Sequence, residues 1–240
     1  MKKVAIFSMK LKKGKKYNME FIKYPDMKTL FKLIPLGVNG KKWDATSGEI
    51  LPETAPLHYL PLEDLVFSEK IDGSNMGVRI DNNTITHVQK RNDICSRDNK
   101  GDGFYFELAD KLAENILKVE FPISSYFIFG ELCGVKVQNG GNYFDNRRFL
   151  VFDILDIDNN KFFSWDALNH FSNEMGLEVV PQIQYNKNDL RVENVKEFIV
   201  DLKSFYNNNH NAEGFVVRYS KDTFPYRRWM AKIRRKDFKI

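Results

Sequence analysis

Leu65-Val66-Phe67-Ser68-Glu69-Lys70-Ile71-Asp72-Gly73-Ser74-Asn75-Met76-Gly77-Val78-Arg79-Ile80 is two apolar runs joined by a polar hexapeptide, Lys70 to Asn75. Short runs rich in Val, Ile and Phe, bounded by Asp and Gly, read as strands. An Asp-Gly pair between two strands is ordinary hairpin chemistry, because Gly tolerates positive φ at little steric cost. A lysine that ends one strand is also well placed to hold an amine against an electrophile.

Working outward, the same grammar recurs. Strands are expected at 4–9, 66–71, 77–80, 85–89, 126–131, 149–155, 161–163, 177–181, 213–219 and 229–233, separated by Asn, Asp and Gly turns. Three stretches carry helical spacing instead. Phe104–Val119 sets Leu108, Leu112 and Ile116 on one side, Trp165–Met175 follows Ser164 as N-cap and stops at Gly176, and Val195–Tyr206 is the third. The expected fold class is α+β with antiparallel sheets. Residues 32–62, with Pro35, Gly37, Gly40, Gly48, Pro52, Pro56 and Pro61, are loop-rich, and lie over a ligand site or form a small N-terminal subdomain.

Composition narrows the class. At 240 residues the chain suits one main domain with a substantial core, and 42% hydrophobic with 29% charged residues is ordinary for a globular protein. No apolar stretch approaches the ~20 residues that cross a bilayer, so no membrane partner is expected. Cys95 and Cys133 lack the partners of a zinc site or a disulfide framework, which makes a reducing cytoplasm the default. His58, His87, His170 and His210 are scattered outside any ligand spacing, and no Gly-x-x-x-x-Gly-Lys-Ser/Thr sequence is present to cradle phosphates. The net charge of +5 favours an anionic partner. Its clusters, Lys10 to Lys16, Arg147-Arg148, Arg227-Arg228 and Arg234-Arg235-Lys236, sit beside Tyr17, Phe144, Tyr226 and Trp229, a mixture suited to phosphate contacts and base stacking.

What gives Lys70 meaning is its company: Phe129-Gly130-Glu131, Phe149-Leu150-Val151-Phe152-Asp153, Ala212-Glu213-Gly214-Phe215-Val216-Val217 and Lys232-Ile233-Arg234, in that order. The series resembles the motifs of the covalent nucleotidyltransferases: ATP-dependent DNA ligases, mRNA capping enzymes and RNA ligases. It is most similar to the phage RNA ligase family that seals nicks in duplex RNA, from a leader at Tyr24-Pro25-Asp26-Met27-Lys28-Thr29-Leu30-Phe31 to Arg234. Asn75 favours RNA ligase, since DNA ligases and capping enzymes usually carry Arg there.

The resemblance implies a nucleotidyltransferase fold, in which antiparallel sheets flank an ATP cleft. It also implies a three-step reaction: Lys70 attacks the α-phosphate of ATP, AMP passes to a 5′-phosphate on RNA, and a 3′-OH displaces it. Attack needs a neutral amine, and an ordinary lysine, with pKa near ~10.4, is protonated at pH 7, so burial or nearby cations are expected around Lys70. Asp72, Glu131 and Glu213 match the family's acids for a hydrated Mg²⁺ or Mn²⁺. The resemblance further implies that Glu69 and Ile71 contact the adenine or line its pocket, that Phe152 stacks on the purine, and that Asn75 lies near ribose or phosphate. Arg91 matches an arginine that recognises ribose or phosphate, with Arg97 a lesser claimant.

Lys232 and Arg234 occupy a Lys-x-Lys motif whose second member here is Arg, and Lys236 is available to share its role. The chain stops six residues after Arg234, where many relatives continue. The expectation is a single nucleotidyltransferase domain over 1–240, with 1–62 as extension or subdomain and no C-terminal OB or helical domain: a minimal ligase, or the core of something longer. RNA with 5′-phosphate and 3′-OH ends, as a nicked duplex, is the expected partner of a monomer working in the cytoplasm, with a phage- or virus-infected cell as one setting. Rival readings are a DNA ligase, a capping-type enzyme, or a non-catalytic nucleic-acid binding protein of the same fold.

Overall fold

The computed structural model describes residues 21–36, 42–116, 123–137, 143–221 and 228–238. The strand expected at 4–9, the Lys10 to Lys16 cluster, Tyr17, Tyr226 and Arg227 lie outside these residues. In chain order the elements are β1 (Lys28–Thr29), β2 (Ile34–Leu36), β3 (Lys42–Asp44), β4 (Leu65–Lys70), β5 (Ser74–Asp81), β6 (Thr84–Lys90), α1 (Gly103–Ile116), β7 (Ser125–Gly134), β8 (Arg147–Asp156), β9 (Lys161–Phe162), α2 (Trp165–Glu174), β10 (Glu178–Val179), α3 (Val192–Asp201), β11 (Gly214–Tyr219) and β12 (Met230–Arg234).

Two sheets carry the site. One has the order β1-β12-β11-β4; the other runs β10-β8-β7-β5-β6, with β9 paired to β8. Most pairings are antiparallel, while β1 on β12 and β10 on β8 are parallel edge additions. The quoted hexapeptide is therefore no hairpin: β4 ends in the first sheet and β5 begins in the second. Gly73 makes that crossing for steric reasons, since a Cβ there would meet the Leu132 carbonyl oxygen at 2.4 Å. The true two-residue hairpin follows, where Asn82 and Asn83 take φ of 48° and 57° between β5 and β6, as a turn with two left-handed central residues requires.

Alternation of side chains divides the core. Met76, Val78, Ile80, Ile128 and Ile154 pack on Leu108, Leu112 and Ile116 of α1 and Leu168 and Phe171 of α2, all buried. On the other side of the same sheet, Phe127 and Phe129 stack at 4.5 Å beside Leu155 and Phe162, with Tyr24 and Phe152 against them. The first sheet buries Phe67, Phe215, Val217, Ala231 and Ile233 against Leu57, Val195 and Ile199. Full burial of a side chain of this size stabilises the fold by about 1.5–3 kcal/mol.

Helix α2 has the expected ends, the Ser164 hydroxyl accepting from the Ala167 amide at 3.3 Å and Gly176 at φ +62°. Helix α3 differs from expectation, since it covers Val192–Asp201 rather than 195–206. Beyond it, 202–212 closes on itself through Ser204 N to His210 O and Ala212 N to Leu202 O, and the Phe205 amide is taken by Glu69 at 2.8 Å. Those bonds outcompete another helical turn. The described residues of 32–62 hold the antiparallel β2–β3 pair and the 3₁₀ turn Ala55–His58, and pack through Leu33, Leu57, Leu60 and Leu62 into the first sheet's cluster, while none of them lines the cleft. Among the described residues no helix is long and apolar enough to cross a membrane.

Candidate active site

The ladder of the first sheet puts three motifs in one row. Gly214 pairs with Lys70 on one side and with Arg234 on the other. Gly214 permits it, because a Cβ would stand 1.9 Å from the Ile233 carbonyl oxygen. Glu213, just before, reaches Lys70: Oε2 accepts from Nζ at 2.5 Å, with both side chains about three-quarters covered. In the second sheet Asn75 pairs with Glu131.

Between the sheets lies a cleft of about 560 Å³. It gathers Glu69, Lys70, Ile71, Asp72, Asn75, Arg91, Glu131, Phe152, Glu213, Lys232 and Arg234 of the residues singled out from the sequence. Arg97 is elsewhere, exposed, paired with Asp110 and stacked over Phe106. The four histidines do not line the cleft.

Electrostatics follow from the crowding. Burial raises the Glu131 carboxyl to about 8; Lys70 opposes this, and the negative Glu213 and Asp72 add to it. Burial also lowers the Lys232 ammonium, with Arg234, Lys70 and Arg91 adding cationic repulsion. Glu69 is 2% exposed and raised by burial, its Oε2 held by the Phe205 amide while the buried Oε1 has no hydrogen-bond partner among the described residues. The Asp72 amide donates to the Tyr143 hydroxyl at 3.2 Å, fixing the turn after the lysine.

No three Asp, Glu, His or Cys side chains among the described residues are close enough together to ligate an ion directly. The three acids of the cleft still suit a hydrated divalent cation. They are hard oxygen donors, and the cost of ionising Glu131, set first by burial and then by the negative Glu213 and Asp72, is one that a nearby cation relieves.

Residues 63–234, well over half of the 240, match the RNA ligase family. The chain belongs to that family. Among solved structures, this RNA ligase family member is similar to Naegleria gruberi RNA ligase. A variant with ATP and Mn aligns with TM-score 0.61 and 18% identity over 88% of this chain and 56% of that one. A second variant with ATP and Mn gives 0.59 at 18%, with the same coverage. A variant with AMP and Mn gives 0.55 at 20%, over 70% of this chain and 49% of that one. The chain thus spans about half the length of these structures, and at such identity the likeness establishes the nucleotidyltransferase fold. No curated protein sequence matches.

Sequence reasoning missed the wall behind Phe152 in this RNA ligase fold. Asp153, fully buried, accepts from Tyr24 Oη at 2.8 Å and from Arg228 Nη1 at 2.6 Å, with Arg218 Nη1 at 4.0 Å. Tyr24 meets Phe152 edge-on at 5.0 Å, and Gln89 holds the chain just before Tyr24 by two hydrogen bonds to the Ile22 backbone. Arg228 is therefore an internal ion-pair partner, not the surface contact for nucleic acid its cluster suggested. Arg235 is likewise committed, donating to the Ile199 and Val200 carbonyls at the end of α3. The available signals were Asp153 directly after Phe152 and the tyrosine in the leader.

Proposed function

We propose that the protein is an ATP-dependent RNA ligase working through a lysyl-AMP intermediate. The observation that carries it is Lys70 inside a cleft with Glu213 against its amine and Lys232 and Arg234 on the same wall.

In the first step the Lys70 Nζ lone pair forms a bond to the α-phosphorus and the bond to pyrophosphate breaks. The amine's proton leaves, and Glu213 is placed to accept it. Lys232 and Arg234 supply positive charge where negative charge builds on the departing phosphates, the kind of preorganised stabilisation that carries most of phosphoryl transfer. Glu69 offers Oε1, which has no partner among the described residues, as acceptor for the purine's amino group, Phe152 supplies the stacking face, and Ile71 lines the pocket. Asn75 and Arg91 serve ribose or phosphate. Asp72, Glu131 and Glu213 would hold a hydrated Mg²⁺ or Mn²⁺, which when bound adds Lewis-acid charge at the α-phosphoryl group. AMP then passes to a 5′-phosphate of RNA, and a 3′-OH attacks that phosphate and releases AMP.

The remaining reading is a single nucleotidyltransferase domain acting as a monomer on nicked duplex RNA, in RNA repair. Two free, buried cysteines accord with a cytoplasmic setting. The test is incubation with labelled ATP and Mg²⁺, followed by a panel of nicked RNA, RNA–DNA and DNA duplexes. A covalent adduct on Lys70 and sealing of nicked RNA are expected. Absence of adduct ends the assignment, and sealing of DNA alone transfers it to the DNA ligases.

A further inference from the structure

Arg234 ends the Lys232-Ile233-Arg234 motif on the wall of the cleft, and the structure supplies it with a carboxylate partner. Asp237, 3% exposed, receives Arg234 Nε at 3.0 and 3.1 Å, Nη2 at 2.7 Å and the Arg234 amide at 3.0 Å. The acid is itself anchored, since its backbone oxygen accepts from the Ala45 amide at 2.7 Å. This grip uses the Nε–Nη2 edge of the guanidinium. Nη1 has no partner among the described residues, and the side chain lines the nucleotide cleft. A lysine could not be held this way: its ammonium is a point charge on a flexible stem, whereas a guanidinium can bind with two edges at once.

From this we infer that Asp237 is a positioning residue, which fixes Arg234 so that its open edge takes the β and γ phosphates of the incoming nucleotide. Arginine at 234 and aspartate at 237 are then one functional unit, a guanidinium clamped on one edge and open on the other. The inference rests on the ligase reading for the identity of the nucleotide, and predicts coupling beyond it.

The test is a double-mutant cycle with Asp237→Asn and Arg234→Ala, read by calorimetry with α,β-methylene ATP, which cannot donate AMP, and with AMP, which lacks the outer phosphates. In the Arg234 background Asp237→Asn should weaken α,β-methylene ATP on the order of tenfold and leave AMP affinity unchanged. In the Arg234→Ala background it should do nothing further. Additive losses, or an equal loss for AMP, overturn the inference and assign Asp237 a purely structural role. If Asp237→Asn fails to fold, Arg234→Lys replaces it: charge is retained, the clamp is lost, and a similar loss is expected, full affinity being the contrary result. Adduct formation by the wild type is scored separately. Its absence removes the ligase reading, while the binding cycle still decides whether the pair acts as a unit.

Discussion

Lys70 Nζ and Glu213 Oε2 stand 2.5 Å apart although 143 residues separate them in the chain. A carboxylate that close both aims the amine and offers a place for its proton. Proton transfer by a positioned group contributes about 10²–10⁴-fold. Glu213→Gln should therefore fold normally and form the AMP adduct at least about a hundredfold more slowly, while Lys70→Ala should form none. Single-turnover labelling measures both, and wild-type rates in Glu213→Gln would exclude this role for the acid.

Glu131 makes stability depend on pH. Its carboxyl rises from the ordinary 4.5 to about 8 in the folded state, so between those values the folded protein holds a proton that the unfolded chain gives up. Stability from this group is full at low pH and falls as pH climbs through that window. Glu131→Gln, a permanent mimic of the protonated form, should match wild type near pH 5 and exceed it near pH 8.5 in metal-free thermal unfolding. Added Mg²⁺ should narrow the gap at the higher pH. A difference that is flat across pH would contradict it.

Asp153 neutralises guanidinium charge in a dry wall, with Arg218 and Arg228 both only 3% exposed. Breaking a buried pair by removing one partner costs about 3–5 kcal/mol. Asp153→Asn should thus lower Tm by roughly 6–20 °C for a chain of this size. Tyr24→Phe removes only the hydroxyl and should cost less, about 1.5–3 kcal/mol, while raising KM for ATP through the slackened Phe152. Calorimetric unfolding and initial adenylation rates test the ordering; a Tyr24→Phe variant worse than Asp153→Asn would refute it.

Gly214 admits no side chain, for the atom in the way is a backbone oxygen 1.9 Å from the added Cβ. Relief requires β11 and β12 to part. Gly214→Ala should cost at least about 2 kcal/mol, at the upper part of the range for overpacking, and suppress adduct formation because Lys70 and Arg234 are its register partners. Unchanged unfolding together with normal labelling would show that the sheet absorbs the methyl group.

The motif strands were legible because each carries its own local signal: apolar runs around Lys70, Glu131, Phe152 and Glu213, ended by Gly or Asp. That they converge was legible only through their order along the chain. The crossing at Gly73 looked like a hairpin, since Asp-Gly has the same local chemistry whether the next strand returns or enters another sheet. The Tyr24–Asp153–Arg228 network was invisible, its contacts spanning 129 and 75 residues with no periodicity to announce them. Arg228 and Arg235 read as surface charge because composition does not say which cations fold inward. The end of α3 was misplaced for a similar reason, as the amide that closes the following loop is claimed by Glu69, far away in sequence.

Because Lys70, Gly214 and Arg234 share one rung of a ladder, their spacing is dictated by main-chain geometry and not by side-chain fit. Loops between the strands are free to lengthen or shrink over evolution without disturbing the nucleophile. A single-residue insertion inside β4 or β11, by contrast, would swing the amine or the acid to the opposite face. Catalytic competence would then report, in one assay, whether three distant stretches of polypeptide had found their correct register.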